Sequence, residues 1–153
     1  MKVVTRPTNN IQMPAQSSPE GRYCFPKAER MRHRRAFDFL FKHGSSFRVG
    51  MLKFFYVTDC PPEYIETPLS VAFSAPKRAF KRAVDRNYLK RRMKEAYRLH
   101  KFILLSKAEE NEKNLVLLIK YNSRRKASYA QIEHSLQKGL NRLQTMIFLP
   151  QKD

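Results

Sequence analysis

The chain has 153 residues and a formal net charge of +18, from 31 Lys and Arg against 13 Asp and Glu. That length suits one domain with a modest core, and 42% hydrophobic residues, among them 11 Phe and 7 Tyr, suffice to fill it, so the charge does not imply wholesale disorder. No run of apolar residues reaches membrane-spanning length, the first twenty residues lack a signal-type apolar stretch, and two cysteines are too few for a disulfide framework or a four-ligand zinc site. The expectation is a soluble, cytoplasmic domain with Cys24 and Cys60 as unpaired thiols and a polyanion as partner.

Residues 1–20 hold Pro7, Pro14 and Pro19 among Asn, Gln, Ser and Thr, and read as a disordered tail ahead of one domain over 21–148; 149–153 read as a second short tail. A cluster of Arg30, Arg32, Arg34 and Arg35 precedes and opens the first helical pattern. That helix is predicted over Arg34 to His43, because Phe37, Leu40 and Phe41 recur at helical spacing and Gly44 stops it; Phe39 falls on another face. Three strands should follow: a short one near Phe47 to Val49, then Leu52 to Thr58 (LKFFYVT), then Leu69 to Ala75 (LSVAFSA). Their connections leave no room for a crossover helix, which predicts antiparallel pairing. Alternation puts Leu52, Phe54 and Tyr56 on one sheet face and Lys53, Phe55 and Val57 on the other, without saying which face meets the first helix.

One long helix is predicted from Ala83 to Leu105. At 100° per residue, Leu89, Met93, Ala96 and His100 form a narrow apolar stripe, opposed by a broad cationic face. Glu109, Glu110 and Glu112 read as an acidic loop. Leu115 to Tyr121 (LVLLIKY) is apolar almost throughout and predicts a strand buried on both faces. Ser128 and Gln131 have capping-box spacing ahead of a last helix with Ile132, Leu136, Leu140 and Leu143 on one side. The order predicts an α+β sandwich of one sheet and its packed helices.

A self-sufficient active site is hard to assemble from this chain. His33, His43, His100 and His134 have no second His or acid at convincing spacing, Asp59, Asp85 and Asp153 are scattered, and four glycines make no phosphate loop. No metal site is expected. The cationic helix is the dominant feature: eleven basic residues against Asp85 and Glu95 lie between Lys77 and Lys101, a net +9 in 25 residues. Arg86, Lys90, Lys94 and Arg98 form one i, i+4 row of like charges, which opposes folding and is offset by an anionic partner. Asn87 adds a donor and acceptor suited to a base edge or a 2′-hydroxyl. Phe37 and Phe41 are either plain core or, with strand aromatics, a stacking platform for an unpaired strand.

Ser74 to Arg98, SAPKRAFKRAVDRNYLKRRMKEAYR, resembles the signature of the bacterial ribonuclease P protein subunit. Lys77, Arg78, Lys81, Arg82, Ala83, Arg86, Asn87, Lys90, Arg91 and Glu95 match it in order and spacing. Upstream, RRAFDFLFKHGSSF is similar to the family's aromatic segment, with Phe37, Phe41, Lys42 and Gly44 in the matching places. Tyr88 stands where the family usually has a second Arg after the Asn, and LVLLIKY lacks an Arg commonly found after it, which Lys120 or Arg124 replaces only loosely. The resemblance implies a helix, a three-stranded meander, the long basic helix, a fourth strand and a last helix, with a left-handed crossover, as in the second domain of a small-subunit ribosomal protein. It implies a holoenzyme in which a catalytic RNA performs Mg²⁺-dependent removal of the 5′ leader from precursor tRNA. The protein itself would bring no catalytic residue and need no other protein. Arg86, Asn87, Lys90, Arg91, Lys94 and Arg98 would contact the RNA subunit; Lys77, Arg78, Lys81 and Arg82 would neutralise phosphates; Phe37, Phe41, Phe55 and Tyr56 would line a cleft for the leader. Two other readings compete. One is a ribosome-associated structural RNA-binding protein of the same fold. The other is a membrane-surface helix, disfavoured because its narrow stripe is needed for the core.

Overall fold

The computed structural model describes residues 25–148. The segments 1–24 and 149–153, which hold both expected tails and Cys24, lie outside them. The chain forms α1 (Arg34–His43), β1 (Ser45–Val49), β2 (Leu52–Thr58), β3 (Leu69–Ser74), α2 (Ala83–His100), α3 (Phe102–Glu110), β4 (Leu115–Tyr121) and α4 (Tyr129–Phe148), with short 3-10 turns at Lys27–Glu29 and Pro62–Tyr64. The α+β architecture and most of the element bounds agree with the periodicities that predicted them.

Strand pairing does not follow chain order. The sheet runs β1-β2-β4-β3. β1 and β2 form the expected antiparallel hairpin, closed by Gly50-Met51 with Gly50 at φ 57, the left-handed conformation that glycine supplies in two-residue hairpin turns. β2 then pairs antiparallel with β4, and β4 pairs parallel with β3. The three consecutive strands are therefore no meander: β4 is inserted between the second and the third. Its composition explains this. Leu115 to Ile119 are all buried, and a strand apolar on both faces is most stable in mid-sheet with both faces covered. The unit β3-α2-α3-β4 supplies the crossover that parallel neighbours require.

Two apolar layers result. Leu52, Phe54, Val71, Leu117, Ile119 and Tyr121 face α2 and α4, meeting Leu89, Met93, Ala96, Tyr97, Ile132, Leu136 and Leu140. Val57, Val116 and Leu118 face the other way, under Ala36 and Leu40 of α1, and Cys60, a buried free thiol, belongs to this smaller layer. α4 opens on the predicted capping box: the Gln131 amide donates to Ser128 Oγ at 3.3 Å and the Ser128 amide to Gln131 Oε1 at 3.0 Å.

The basic helix is shorter than predicted. It ends at His100, and a second helix starts at Phe102. Between them Lys101 is buried and places Nζ 2.8 and 2.9 Å from the two carboxylate oxygens of Glu29, itself buried. The apolar stripe ends on Tyr97 rather than His100, which is half-buried and 3.1 Å from Glu133. Because α3 reaches Glu110, Glu109 and Glu110 are helical rather than in a loop, and only Glu112, at φ 51, stands in the turn beyond.

Before α1, residues 25–31 form a strap that the periodicities did not show. The Met31 amide donates to Val71 O at 3.0 Å, Arg30 bridges Val71 along the outer edge of β3, and the Phe25 ring packs edge-on against Phe73 and Tyr97. It pins Glu29 over the α2–α3 junction and covers a sheet edge that is otherwise open.

Candidate nucleic-acid interface

Two cationic regions and one aromatic pair stand out: the basic face of α2 on one side of the sheet, and a charged patch with the aromatic pair on the side of α1. On α2, burial of Leu89, Met93, Ala96 and Tyr97 fixes the helix rotation, so Asn87, Arg91 and Lys94 are exposed and Lys90 is half-buried. Lys90 and Lys94 have no hydrogen-bonded or ionic partner among the described residues. Desolvation of its ammonium against the helix surface, and then the like charges of Arg30 and Lys90, lower the Lys94 pKa. The two ends of the row are engaged. Arg86 Nη1 donates to the carbonyls of Phe80 and Lys81, both at 2.8 Å, clamping the turn that carries Lys81 and Arg82. Arg98 forms a two-pronged contact with Glu95 at 2.7 and 3.0 Å, which holds the Glu95 carboxyl below its ordinary range.

The half of the sheet face that α1 leaves uncovered carries charge. In register across β1, β2 and β4, Arg48 lies beside Lys53 and Lys53 beside Lys120. Arg48 and Lys120, with Lys77 and Arg78 from the turn after β3 and Asn122 and Arg124 after β4, line a cleft of about 530 Å³. Lys81 and Arg82 continue the charge toward α2 and are exposed. Arg48 and Lys53 escaped sequence reasoning because an isolated cation on a strand reads as solvent-facing. The available signal was period-two alternation, which places Lys53 on the face of Phe55.

Phe55 faces α1, which settles the question alternation left open. Its ring meets Phe41 edge-on at 5.8 Å, and Lys53 Nζ lies 5.1 Å from its centroid. Phe41 is 60% exposed, so it is not core; Phe37, one turn earlier, is half-buried against the smaller apolar layer. Tyr56 does not join them. As the neighbour of Phe55 it points through the opposite face, where its ring packs on Phe47 at 5.8 Å. The expected cleft aromatics are thus Phe41 and Phe55, with Phe37 behind and Tyr56 excluded.

Tyr88 is half-buried, with Arg92 4.8 Å and Lys126 Nζ 5.8 Å from its ring centre. Two cations therefore flank the position where the signature carries an Arg. Lys126 also contacts Asp85 at 2.6 Å, and that hydrogen bond lowers the Asp85 pKa. Among the described residues no group of three or more His, Cys, Asp or Glu could hold a metal ion, and no helix is long and apolar enough to cross a membrane.

A cationic helix, a basic cleft and an aromatic pair with one exposed ring on one scaffold are what the Ribonuclease P family model covers: it matches residues 25–144, essentially all of the described chain. The chain belongs to the ribonuclease P protein family. Ribonuclease P protein components from Chlorobaculum tepidum and Porphyromonas gingivalis are similar to it. The first is 38% identical over 92 residues, 60% of each chain; the second is 31% identical over 117 residues, 76% of this chain and 84% of the relative. The fold is that of the Staphylococcus aureus ribonuclease P protein, with a TM-score of 0.58 at 21% identity, over 81% of this chain and all of the other. A mutant of that protein with defective mRNA degradation activity superposes with a TM-score of 0.60 at 22% identity, over 77% of this chain and 90% of the other. Membership in the ribonuclease P family sets aside the ribosome-associated alternative.

Proposed function

We propose that this chain is the RNA-binding subunit of a tRNA-processing ribonuclease P, assembling a catalytic RNA with precursor tRNA so that the 5′ leader is removed. The observation that carries the reading is the exposed Phe41 ring, backed edge-on by the half-buried Phe55, set beside a cleft lined by Arg48, Lys77, Arg78, Lys120 and Arg124. Stacking without a required sequence, next to phosphate neutralisation, is what a leader of arbitrary sequence needs. Each stacked base contributes about 1–3 kcal/mol.

Asn87, Lys90, Arg91 and Lys94 contact the RNA subunit from α2, and Lys81 and Arg82 join Lys77 and Arg78 where leader and catalytic RNA converge. Arg86 acts first as a clamp on the turn before α2, and Arg98 reaches RNA only by sharing or leaving Glu95. Mg²⁺ prefers several hard oxygen ligands, and the cleft, lined by ammonium and guanidinium groups, does not fit it. The RNA and its substrate hold the ion. The protein's contribution is binding and orientation, with no proton transfer from its own side chains. The holoenzyme is cytoplasmic in this reading.

Reconstitution tests it. Purified protein alone leaves precursor tRNA intact, and with a bacterial ribonuclease P RNA it restores 5′ processing at low Mg²⁺. RNA binding without any stimulation of cleavage would refute the reading.

A further inference from the structure

The arginines ahead of α1 have no part in the cleft, yet they surround a cavity of their own. Arg30, Arg32, His33 and Arg34, with Tyr64, Ile65, Glu66 and the buried Ser70, enclose about 290 Å³ between the strap, the Pro62–Tyr64 turn and β3. It is separate from the basic cleft. Ser70 pairs with Val116 at the start of β4, whereas the cleft lies against Lys120 and Asn122 at its end, about 13–20 Å away at strand rise.

The charge arrangement here is unfavourable without a ligand. Arg34 and Arg35 occupy the first turn of α1, which contains no acid, so two cations sit at the positive end of the helix dipole. Arg34 has no partner among the described residues, and the Arg35 guanidinium lies 5.9 Å from the Tyr64 ring centre. Among the described residues the one anion lining the cavity is Glu66, a carboxylate 3.1 Å from Arg32. The region is also continuous with α2: the Arg30 guanidinium lies 5.4 Å from the Phe25 ring centre, and that ring packs on Tyr97 of α2 at 5.5 Å. A polyanion lying on Lys90 and Lys94 therefore meets Arg30 next, at the outer edge of β3.

We propose that this cavity is a second phosphate site for RNA, in which Arg30 and Arg34 take a backbone phosphodiester of a strand that continues around the β3 edge from α2, and Glu66 limits occupancy by holding Arg32. The inference rests on the RNA-subunit reading and adds to it a contact on the far side of α1 from the cleft.

The test uses the full chain and ribonuclease P RNA transcribed in vitro, with affinity measured over a salt series. Arg34→Ala weakens binding several-fold and flattens the slope of log K against log salt by about 0.7–0.9, the share of one phosphate contact. Glu66→Gln strengthens binding several-fold, whereas Glu110→Gln, which adds the same charge at the end of α3, leaves it unchanged. Arg34 is exposed, so its variant keeps the fold, and a melting curve checks this. Wild-type affinity and slope in both Arg34→Ala and Glu66→Gln overturn the proposal. So does a phosphate-induced rise in melting temperature that Arg34→Ala abolishes while RNA binding is unchanged, since that outcome makes the cavity a free-anion site. Lys90→Ala, measured alongside, separates the two levels. If it weakens RNA binding while Arg34→Ala and Glu66→Gln both leave it at the wild-type value, only this site falls; if none of the three has an effect, the RNA-subunit reading falls as well.

Discussion

Replacing Phe41 by Ala separates RNA binding from folding. A fully buried Phe→Ala change costs about 3–5 kcal/mol. Phe41 is 60% exposed, so only about two-fifths of that burial is lost, about 1–2 kcal/mol, and its edge-on contact with Phe55 at 5.8 Å falls within that sum. The expected fall in denaturant midpoint is correspondingly small, with an unchanged m-value. If Phe41 stacks a leader base, the variant loses about 1–3 kcal/mol of substrate binding, a factor of about 5–150 in affinity. The assay compares precursor tRNA carrying a leader with mature tRNA, each bound to the reconstituted enzyme, beside a urea titration of the protein alone. The loss should be confined to the leader-bearing RNA. A stability loss above 3 kcal/mol would show that Phe41 is core, and equal losses for both RNAs would show that it touches something other than the leader.

Lys90→Ala should flatten the salt dependence of RNA-subunit affinity by about 0.7–0.9 in log–log slope, because Lys90 has no partner among the described residues to be released from. Lys101→Met leaves Glu29 buried and unpaired and should cost about 3–5 kcal/mol by chemical denaturation, with Lys101→Met/Glu29→Leu recovering most of it. Burial already outweighs Lys101 in raising the Glu29 pKa. Its share of stability is therefore complete below the ordinary Glu range and lost as pH rises through the raised value. Thermal melts of Lys101→Met should show that dependence more strongly than wild type, and a variant that gains stability with rising pH over this range contradicts it. Gly139→Ala should destabilise by about 1–3 kcal/mol, since the added Cβ would meet the fully buried Phe54 ring, and this outweighs the roughly 1 kcal/mol that alanine gains in helix propensity.

Local periodicity located nearly every element. Phe37, Leu40 and Phe41 with Gly44 marked α1, Ser128 with Gln131 marked the start of α4, and LVLLIKY marked a strand buried on both sides. What periodicity could not carry was position across the molecule. Nothing within Leu69–Ser74 says that its neighbour is β4 rather than β2. The apolar character of β4 does imply a central place, but only by comparing strands with one another. The break at Lys101 was hidden for a related reason: its cause, Glu29, lies 72 residues upstream. The candidate site divided in the same way. The α2 cations and the pair Phe41 and Phe55 were legible from spacing and resemblance, whereas Arg48 joined a basic cleft, with Lys53 beside it, only once β1, β2 and β4 stood in register. Arg86 shows a role that spacing could not reveal: within a charged row, its Nη1 also holds two backbone carbonyls of the turn before α2.

The insertion of β4 between β2 and β3 also governs when this molecule can exist. During synthesis the β1-β2 hairpin, β3 and the whole cationic helix emerge before the strand that joins them, so the growing chain presents its RNA-binding charge ahead of any closed sheet. Closing the sheet means bringing together segments more than fifty residues apart, which slows folding relative to a chain of local contacts. A fragment truncated before Leu115 would keep the entire signature and lose its scaffold, because neither half of the sheet would have its shared neighbour.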